Sequence, residues 1–506
     1  MNRSNDAGDD RTITGTGADF LQLDPADAPP GGLSDWLAGR LRDAIGDGRL
    51  PLGGRLPASR VLAADLGVSR GVVTEAYQRL VDDGHVAGRG RGGTVVVAAP
   101  LAPPPPSSPT PPHPAAPPAR TELADTTDSA FPGVPGSEVF DALRAAPARV
   151  DLSPGVPDLA AFPRAAWLRA ERSVLAELSA PALGYGDPRG TPALRTAVAA
   201  WLARNRGIRA DPDDIIIVAG TAQALGLLAR VLTGDGIQDI AVEDPGSLGT
   251  RQHLAYWGMG TPPIPVDAGG VRVDRLRASG APAVLLTPAH QFPTGVVLDG
   301  PRRRDLMHWN AAGGIVIEDD YDAEHRYDRP PVAALRSMLT ERLFYAGSVS
   351  KLLAPALRIG WVLAPPGHRD ALVDAKRFAD LGNAALPQLV LARLMESGEM
   401  ERHLRLLRRR HRRRRDTMIT AIRAHLPGAV VHGAAAGLHL TVTFPGTFPD
   451  TALAAAALAR GVKTQPLSWH GQRRHRPGLV LGYAAATPSS ITGGIAAIGD
   501  ALHHLT

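Results

Sequence analysis

The chain has 506 residues, 44% of them hydrophobic and 21% charged, with a formal net charge of +5 and no cysteine. That length exceeds one ordinary domain, and the balance is that of globular protein with a slight basic lean. Disulfides, thiolate metal sites and cysteine nucleophiles are excluded, and no run is apolar and long enough to cross a membrane.

The polar start MNRSNDAGDDRTITG lacks the apolar core of a secretion signal, so the expected location is the cytoplasm. Residues 1–31 carry Gly, Asp and Pro without periodicity and are expected to be a disordered lead-in. Residues 32–98 are patterned. Leu33 to Leu50 predicts an amphipathic helix with Trp36, Leu37, Leu41 and Ile45 on one face. In SRVLAADLGVSRGVVTEAYQRL, Ser59 is expected to cap a short helix, Gly67 to permit a turn, and Ser69 to cap a second helix. That order is a helix-turn-helix, whose second helix would present Arg70 and Thr74 to base edges in a major groove. HVAGRGRGGTVVV predicts a hairpin wing, where Arg89 and Arg91 on a glycine-rich tip can approach phosphates.

Residues 99–128, with APLAPPPPSSPTPPHPAAPP, predict a semi-rigid polyproline-type linker. From 129 to 506, apolar strands (DIIIVAG, IAVED, AVLLTP, GIVIED, LFYAGS) alternate with helices, which predicts an α/β domain on a mainly parallel sheet. LFYAGSVSKLLAPALRIGWVL brings a strand to a serine-rich turn, then Lys351, then Arg358 seven residues on. A lysine there can form a Schiff base with an aldehyde cofactor, and serines with an arginine fork can hold phosphate. GIVIEDDYDAEHRYD ends a strand in acids and a tyrosine; such a cluster suits a pyridinium nitrogen or a magnesium ion. IIIVAGTAQALGLLARVL is strand, Gly-Thr turn and helix, whose first amides suit a phosphate. In ERHLRLLRRRHRRRRD, Leu404 and Leu407 are expected to face a core, leaving the arginines as a solvated face or, second, as an auxiliary patch for DNA.

LPASRVLAADLGVSRGVVTEAYQRL resembles the GntR family of winged-helix regulators. The resemblance implies DNA contacts at Arg60, Arg70, Arg89, Gly92 and Thr94, and Ser69, Thr74 and Arg91 complete the expected DNA-binding set. From about Asp151 onward, GYGDPRGTPALRTAVAAWLARNRGI, VEDPGSLGTR and TPAHQFPTG resemble the fold type I aminotransferases. Their fusion to a GntR-type head resembles the MocR/GabR subfamily. This implies a multidomain regulator that binds pyridoxal 5'-phosphate, operator DNA and a small amine, amino acid or B6 vitamer, as a domain-swapped homodimer with no membrane partner. It implies Lys351 as the cofactor's lysine, Asp319 on the pyridine nitrogen and Tyr321 on the ring hydroxyl. Arg358, Ser348, Ser350, Gly220, Thr221 and Ala222 would hold the phosphate, and Tyr185 would reach the cofactor of the opposite subunit.

Two positions depart from the pattern. Ser247 stands where an aromatic often stacks on the ring, and Val480 stands near the usual place of the arginine that grips a substrate carboxylate. Arg251, Arg474 and Arg476 are candidates to replace that arginine. Retention of Lys351, Asp319 and Tyr321 argues against a domain kept for dimerisation alone. The DNA-binding head and the missing arginine favour a sensor with at most residual transamination over an active aminotransferase.

Overall fold

The computed structural model describes residues 23, 25–29, 32–46, 50–88, 93–97, 130–327 and 333–505. The predicted linker, most of the lead-in, and Arg89, Arg91 and Gly92 lie outside the described residues. The chain divides into two compact units, Met1–Ala119 and Arg120–Thr506.

In the first unit, α1 (Leu33–Gly46), α2 (Ser59–Asp65) and α3 (Arg70–Asp82) precede a hairpin of β1 (Val86–Gly88) and β2 (Thr94–Val96). Leu37, Leu41 and Ile45 of α1 meet Leu62 of α2 and Val73, Ala76 and Leu80 of α3 in one core. Gly67 takes φ +63°, a left-handed turn conformation open to glycine, between α2 and α3. Ser69 caps α3, its hydroxyl accepting from the Val72 amide at 3.5 Å. Ser59 does not cap α2. It is the first helical residue, Ala58 stands at the N-cap with no side-chain bond, and the Ser59 hydroxyl instead accepts from Arg70 Nε at 3.4 Å. Tyr77 Oη donates to the Pro57 carbonyl at 2.8 Å, fastening α3 to the entry of α2.

In the second unit, helix Val139–Ala145 and β3 (Val150–Asp151) precede a sheet of eight strands: β4 (Ile215–Val218), β5 (Ile240–Asp244), β6 (Pro263–Asp267), β7 (Gly270–Val271), β8 (Ala283–Leu286), β9 (Ile315–Asp320), β10 (Leu343–Ser348) and β11 (Gly360–Leu363). Their order is β4-β11-β10-β9-β8-β5-β6-β7, parallel across the centre and antiparallel only at β11 and β7. The central strands are buried along their whole length, as a sheet covered on both faces requires. A smaller antiparallel sheet follows, from β12 (Val430–His432), β13 (His439–Thr443), β15 (Gln465–Pro466) and β16 (Gly478–Gly482), while β14 (Val462–Lys463) pairs with β3 in parallel. Its core includes Leu440, Val442, Leu479 and Leu481 beside Met418, Leu453 and Ile495. Among the described residues no helix is long and apolar enough to cross a membrane.

The arginine run lies on a single helix, Glu399–His425. Leu404 and Leu407 are buried as expected, but Arg414 and Arg415 are buried with them. Arg410 and Arg414 pair with Asp158, at 3.0 and 2.8 Å, and Arg408 donates to the Glu324 carbonyl. The expectation of a wholly solvated arginine face is corrected: i, i+4 spacing puts Arg410 and Arg414 on the inward side, whereas Arg405, Arg409 and Arg413 are exposed.

At the end of β9 the period of two sends Glu318 and Asp320 to one face and Asp319 to the other. Arg206, fully buried, meets Asp320 at 2.5 Å, and Tyr345 Oη donates to the same carboxylate at 2.7 Å. Burial opposes the guanidinium's charge, yet Asp320 beside it holds its pKa above the ordinary value. Arg206→Met is expected to cost about 3–5 kcal/mol of stability, because Asp320 would remain buried without its counter-charge. Adding Asp320→Asn should recover part of that loss. Urea midpoints of the two variants check this.

Candidate functional site

The carboxyl ends of β5, β8, β9 and β10 face one way, which is where ligands seat in open α/β sheets. A cavity of about 740 Å³ lies there, with Gly155, Thr221, Asp319, Tyr321 and Lys351 on its wall. Lys351 follows β10, and its Nζ donates to the Gly155 carbonyl. Burial lowers its pKa from the ordinary lysine value, against the pull of Asp322 and Asp319. Asp319 is pushed up to about 7, by burial first and then by Asp320 and Asp322. Its Oδ1 is buried without a hydrogen-bond partner. A buried carboxylate oxygen without a donor is costly, and a protonated heterocyclic nitrogen would satisfy it.

Tyr321 Oη donates to the His290 carbonyl and lies 3.1 Å from His290 Nδ1, which is itself 2.9 Å from Asp322 Oδ2. Burial raises the phenol's pKa well above its usual value, so it remains a hydroxyl. Burial also acts to raise Asp322, but His290 beside it holds that carboxyl below the usual range. His290, Asp322 and His439 bring ligand atoms within 4.8 Å of one another. Two bonds already engage this trio: Asp322 with His290, and His439 Nε2 with the Pro293 carbonyl at 3.1 Å. We therefore read it as the mount of Tyr321.

Helix Gly220–Gly234 starts at the end of β4 with no side-chain cap, leaving its first amides open, and Thr221 and Ala222 line the cavity. Gly220 takes φ +78°, and a Cβ there would stand 3.2 Å from Arg358 Nη1. Arg358 has φ +52°, a left-handed conformation unusual for a side-chain-bearing residue, and donates to the Ala219 carbonyl. Asn383 Nδ2 holds the Arg358 carbonyl at 3.2 Å. Ser348 Oγ accepts from the Ser350 amide at 3.4 Å. A Cβ on Gly360 would fall 3.1 Å from Gly220 Cα and 3.3 Å from Ser348 Cβ, so these groups are gathered around one small space. Unpaired amides, two hydroxyls and a guanidinium form an anion cradle. Of these groups Thr221 and Ala222 are on the cavity wall with Asp319 and Lys351, whereas Gly220, Ser348, Ser350 and Arg358 are not; carboxylate, lysine and helix start on one wall fit a phosphorylated pyridine aldehyde.

Tyr185 is not among these groups; it is 97% exposed. Ser247 lines the cavity but also caps helix Leu248–Tyr256, accepting from Thr250 N at 3.2 Å, a role an aromatic side chain could not fill. Val480 is buried inside β16, paired with Thr441 and Gln465, and is not on the cavity wall. Of the replacement candidates, Arg251 spends its guanidinium on the carbonyls of Gly246, Trp469 and His470. Arg474 and Arg476 are exposed and off the wall. None of the three is free to grip a ligand in this cavity. Sequence reasoning missed Glu243, which lines the cavity, accepts from Thr287 N and Oγ1 at 3.0 and 2.7 Å, and is pushed up to about 7 by burial. It also missed His470, packed edge-on against Phe292 at 4.9 Å. The two acids at the end of the strand IAVED were the available sign for Glu243; nothing local marked His470.

In the first unit, Ser69, Arg70 and Thr74 are exposed on the first turns of α3, with Arg60 exposed on α2 and Thr94 half-buried on β2. The buried residues Val73, Ala76, Tyr77 and Leu80 occupy the opposite side of α3. This leaves a polar, basic N-terminal face.

Residues 33–96 match the family described as bacterial regulatory proteins, gntR family, and residues 148–475 match aminotransferase class I and II. The chain is 31% identical to the probable rhizopine catabolism regulatory protein MocR of Rhizobium meliloti, covering 95% of this chain and 96% of that one. It is 30% identical to the HTH-type pyridoxine biosynthesis transcriptional regulator PdxR of Corynebacterium glutamicum, over 94% and 96% of the two chains. Among solved structures it is similar to Pyrococcus horikoshii kynurenine aminotransferase in complex with PMP. That likeness has a TM-score of 0.66 and 27% identity, over 72% of this chain and 93% of that one. A gntR-family head, an aminotransferase body and full-length likeness to such regulators place this chain in the MocR/GabR subfamily of GntR-family transcription regulators.

Proposed function

We propose that this chain is a pyridoxal-phosphate-dependent transcription regulator, acting as a homodimer, that binds operator DNA through its first unit and a small amine-bearing effector in the cavity of its second. One observation carries the reading: a carboxylate oxygen without a donor, Asp319 Oδ1, shares a cavity with a lysine whose ammonium burial disfavours. Bound pyridoxal phosphate supplies an aldehyde carbon that exchanges amines and a ring that withdraws electrons. Lys351, with its pKa lowered, offers the Nζ lone pair at small cost in deprotonation. Asp319 would hold a proton at its Oδ1 against the ring nitrogen. Tyr321 would hold the ring hydroxyl. Thr221, Ala222, Gly220, Ser348, Ser350 and Arg358 would hold the phosphate. The exposure of Tyr185 suits a residue that serves the site of a second copy.

The purified protein is expected to be yellow, and borohydride should fix the cofactor on Lys351 by mass spectrometry. Lys351→Ala should abolish that attachment and uncouple DNA binding from added amines. A reduced adduct on another lysine would refute the assignment.

Asp319 generates a second expectation, with opposite signs in two states. Its carboxyl sits at about 7 when folded, against about 3.9 unfolded. The folded chain thus favours the proton, and stability falls as pH rises from about 4 through about 7. Cofactor-free Asp319→Asn should therefore be more stable than the parent at pH 8, by roughly 1–4 kcal/mol. The same variant should retain cofactor at least about tenfold less well. Thermal melts at two pH values and cofactor dialysis read the two effects.

For DNA, Arg70→Ala should weaken operator binding by about 1–3 kcal/mol while leaving nonspecific binding nearly unchanged. Ser59→Ala, which removes only the hydroxyl that receives Arg70 Nε, should have a smaller effect in the same direction. Fluorescence anisotropy with operator and scrambled duplexes checks both.

A further inference from the structure

Besides Lys351, two lysine or arginine side chains line the cavity: Arg144 and Lys463. Arg144 is committed to Asp141, and its side chain is 71% exposed. Lys463 differs. It is 6% exposed, and its ammonium has one hydrogen bond, to the Arg144 carbonyl at 3.1 Å. Among the described residues no carboxylate stands within ion-pair distance of it. Asp151, its neighbour across the β3–β14 ladder, turns Oδ1 onto the Ser153 amide at 2.8 Å. An ammonium has three protons to give, and a buried cation without an anion is costly. On the same wall, the Ser153 hydroxyl is buried with no partner. The positions considered for a carboxylate grip are closed: Val480 is away from the wall and Arg251 is spent on three carbonyls.

We infer that Lys463, with Ser153 beside it in the chain's opening strand region, is the anion-binding subsite of this cavity, and that the effector carries a carboxylate as well as an amine. The inference rests on the proposed function for the identity of the cavity and deepens it, selecting an amino acid over a plain amine or a vitamer. Lys463 supplies the counter-charge and Ser153 a hydroxyl donor. Phe140 and Leu143 on the same wall exclude water, which strengthens the pairing.

A purely structural role is the competing account, since the carbonyl Lys463 holds belongs to the last turn of helix Val139–Ala145, where cations stabilise helix ends. The test uses the full chain and Lys463→Met, which keeps length and removes charge. Absorbance of the bound cofactor is titrated with ω-amino acids and with the n-alkylamines of the same length. Butyrate and inorganic phosphate, which have no amine, are tested by thermal shift. The parent protein should prefer the amino acids by about tenfold or more, and butyrate should stabilise it. In Lys463→Met that preference should fall to about twofold or less and the butyrate shift should vanish, with cofactor absorbance unchanged. Three results overturn the inference: equal response to acids and alkylamines in the parent, a preference that survives Lys463→Met, or a variant that is only less stable. Stabilisation by phosphate and not by butyrate would assign the subsite to a phosphorylated ligand and overturn the carboxylate. Absence of a cofactor band in the parent would defeat the proposed function alone, because the butyrate measurement still decides the anion subsite.

Discussion

The pair between Arg206 and Asp320 sits where two demands on one strand meet. β9 must be apolar enough to lie in the middle of a covered sheet, yet it ends in three consecutive acids, Glu318, Asp319 and Asp320. Three buried carboxylates in a row would be untenable without compensation. Two of them have partners on the far face: Asp320 through its Oδ2 with Arg206 and Tyr345, and Glu318 through the amides of Leu335 and Arg336 at 2.9 Å each. The alternation of the strand then leaves Asp319 alone on the cavity side. Its neighbours are engaged elsewhere and its Oδ1 is buried without a donor, which the ring nitrogen of the proposed cofactor would supply.

The same logic governs Lys351. It stands between Asp319 and Asp322, whose charges favour the ammonium, yet burial outweighs both and lowers its pKa. Asp322 is engaged with His290, which reduces its claim on the lysine. Lys351 and Asp319 thus share a cavity without pairing: Asp320 and Asp322 have partners of their own, Lys351 donates to the Gly155 carbonyl, and Asp319 Oδ1 has no donor. A direct Lys351–Asp319 ion pair would have satisfied both groups and left nothing for a cofactor.

Much of this was legible in the chain. The strand-turn-lysine segment around Lys351, the acids of GIVIEDDYD and the Gly-Thr turn at Gly220 are local patterns, and the structure brings Lys351, Asp319 and Thr221 to one cavity at the strand ends. The helices of the head were equally plain, because Leu37, Leu41, Val73 and Leu80 repeat at helical spacing. What escaped were partnerships made over long separations. Arg206 reaches Asp320 across 114 positions and Arg251 reaches the His470 carbonyl across 219, and no periodicity announces either. Ser59 was misread for a related reason: two candidate caps lay ten residues apart in similar contexts, and only the real helix start, set by Ala58, distinguishes them.

The arginine run shows how composition alone misleads. A stretch so rich in one charge suggests a surface that acts as a unit. In the fold its members divide by helical phase. Arg410 and Arg414 converge on Asp158, which is nearly fully buried, and Arg414 also donates to the Ala484 carbonyl. Asp158 ends the loop Gly155–Pro157, whose residues line the cavity and whose Gly155 carbonyl receives Lys351. Two guanidinium groups on one carboxylate fix that loop more firmly than one could. The inward arginines of this helix are therefore part of the cavity's wall by one remove: they hold the backbone to which Lys351 donates. The exposed members Arg405, Arg409 and Arg413 are left with no such duty, so a charge count over the run says nothing about either group.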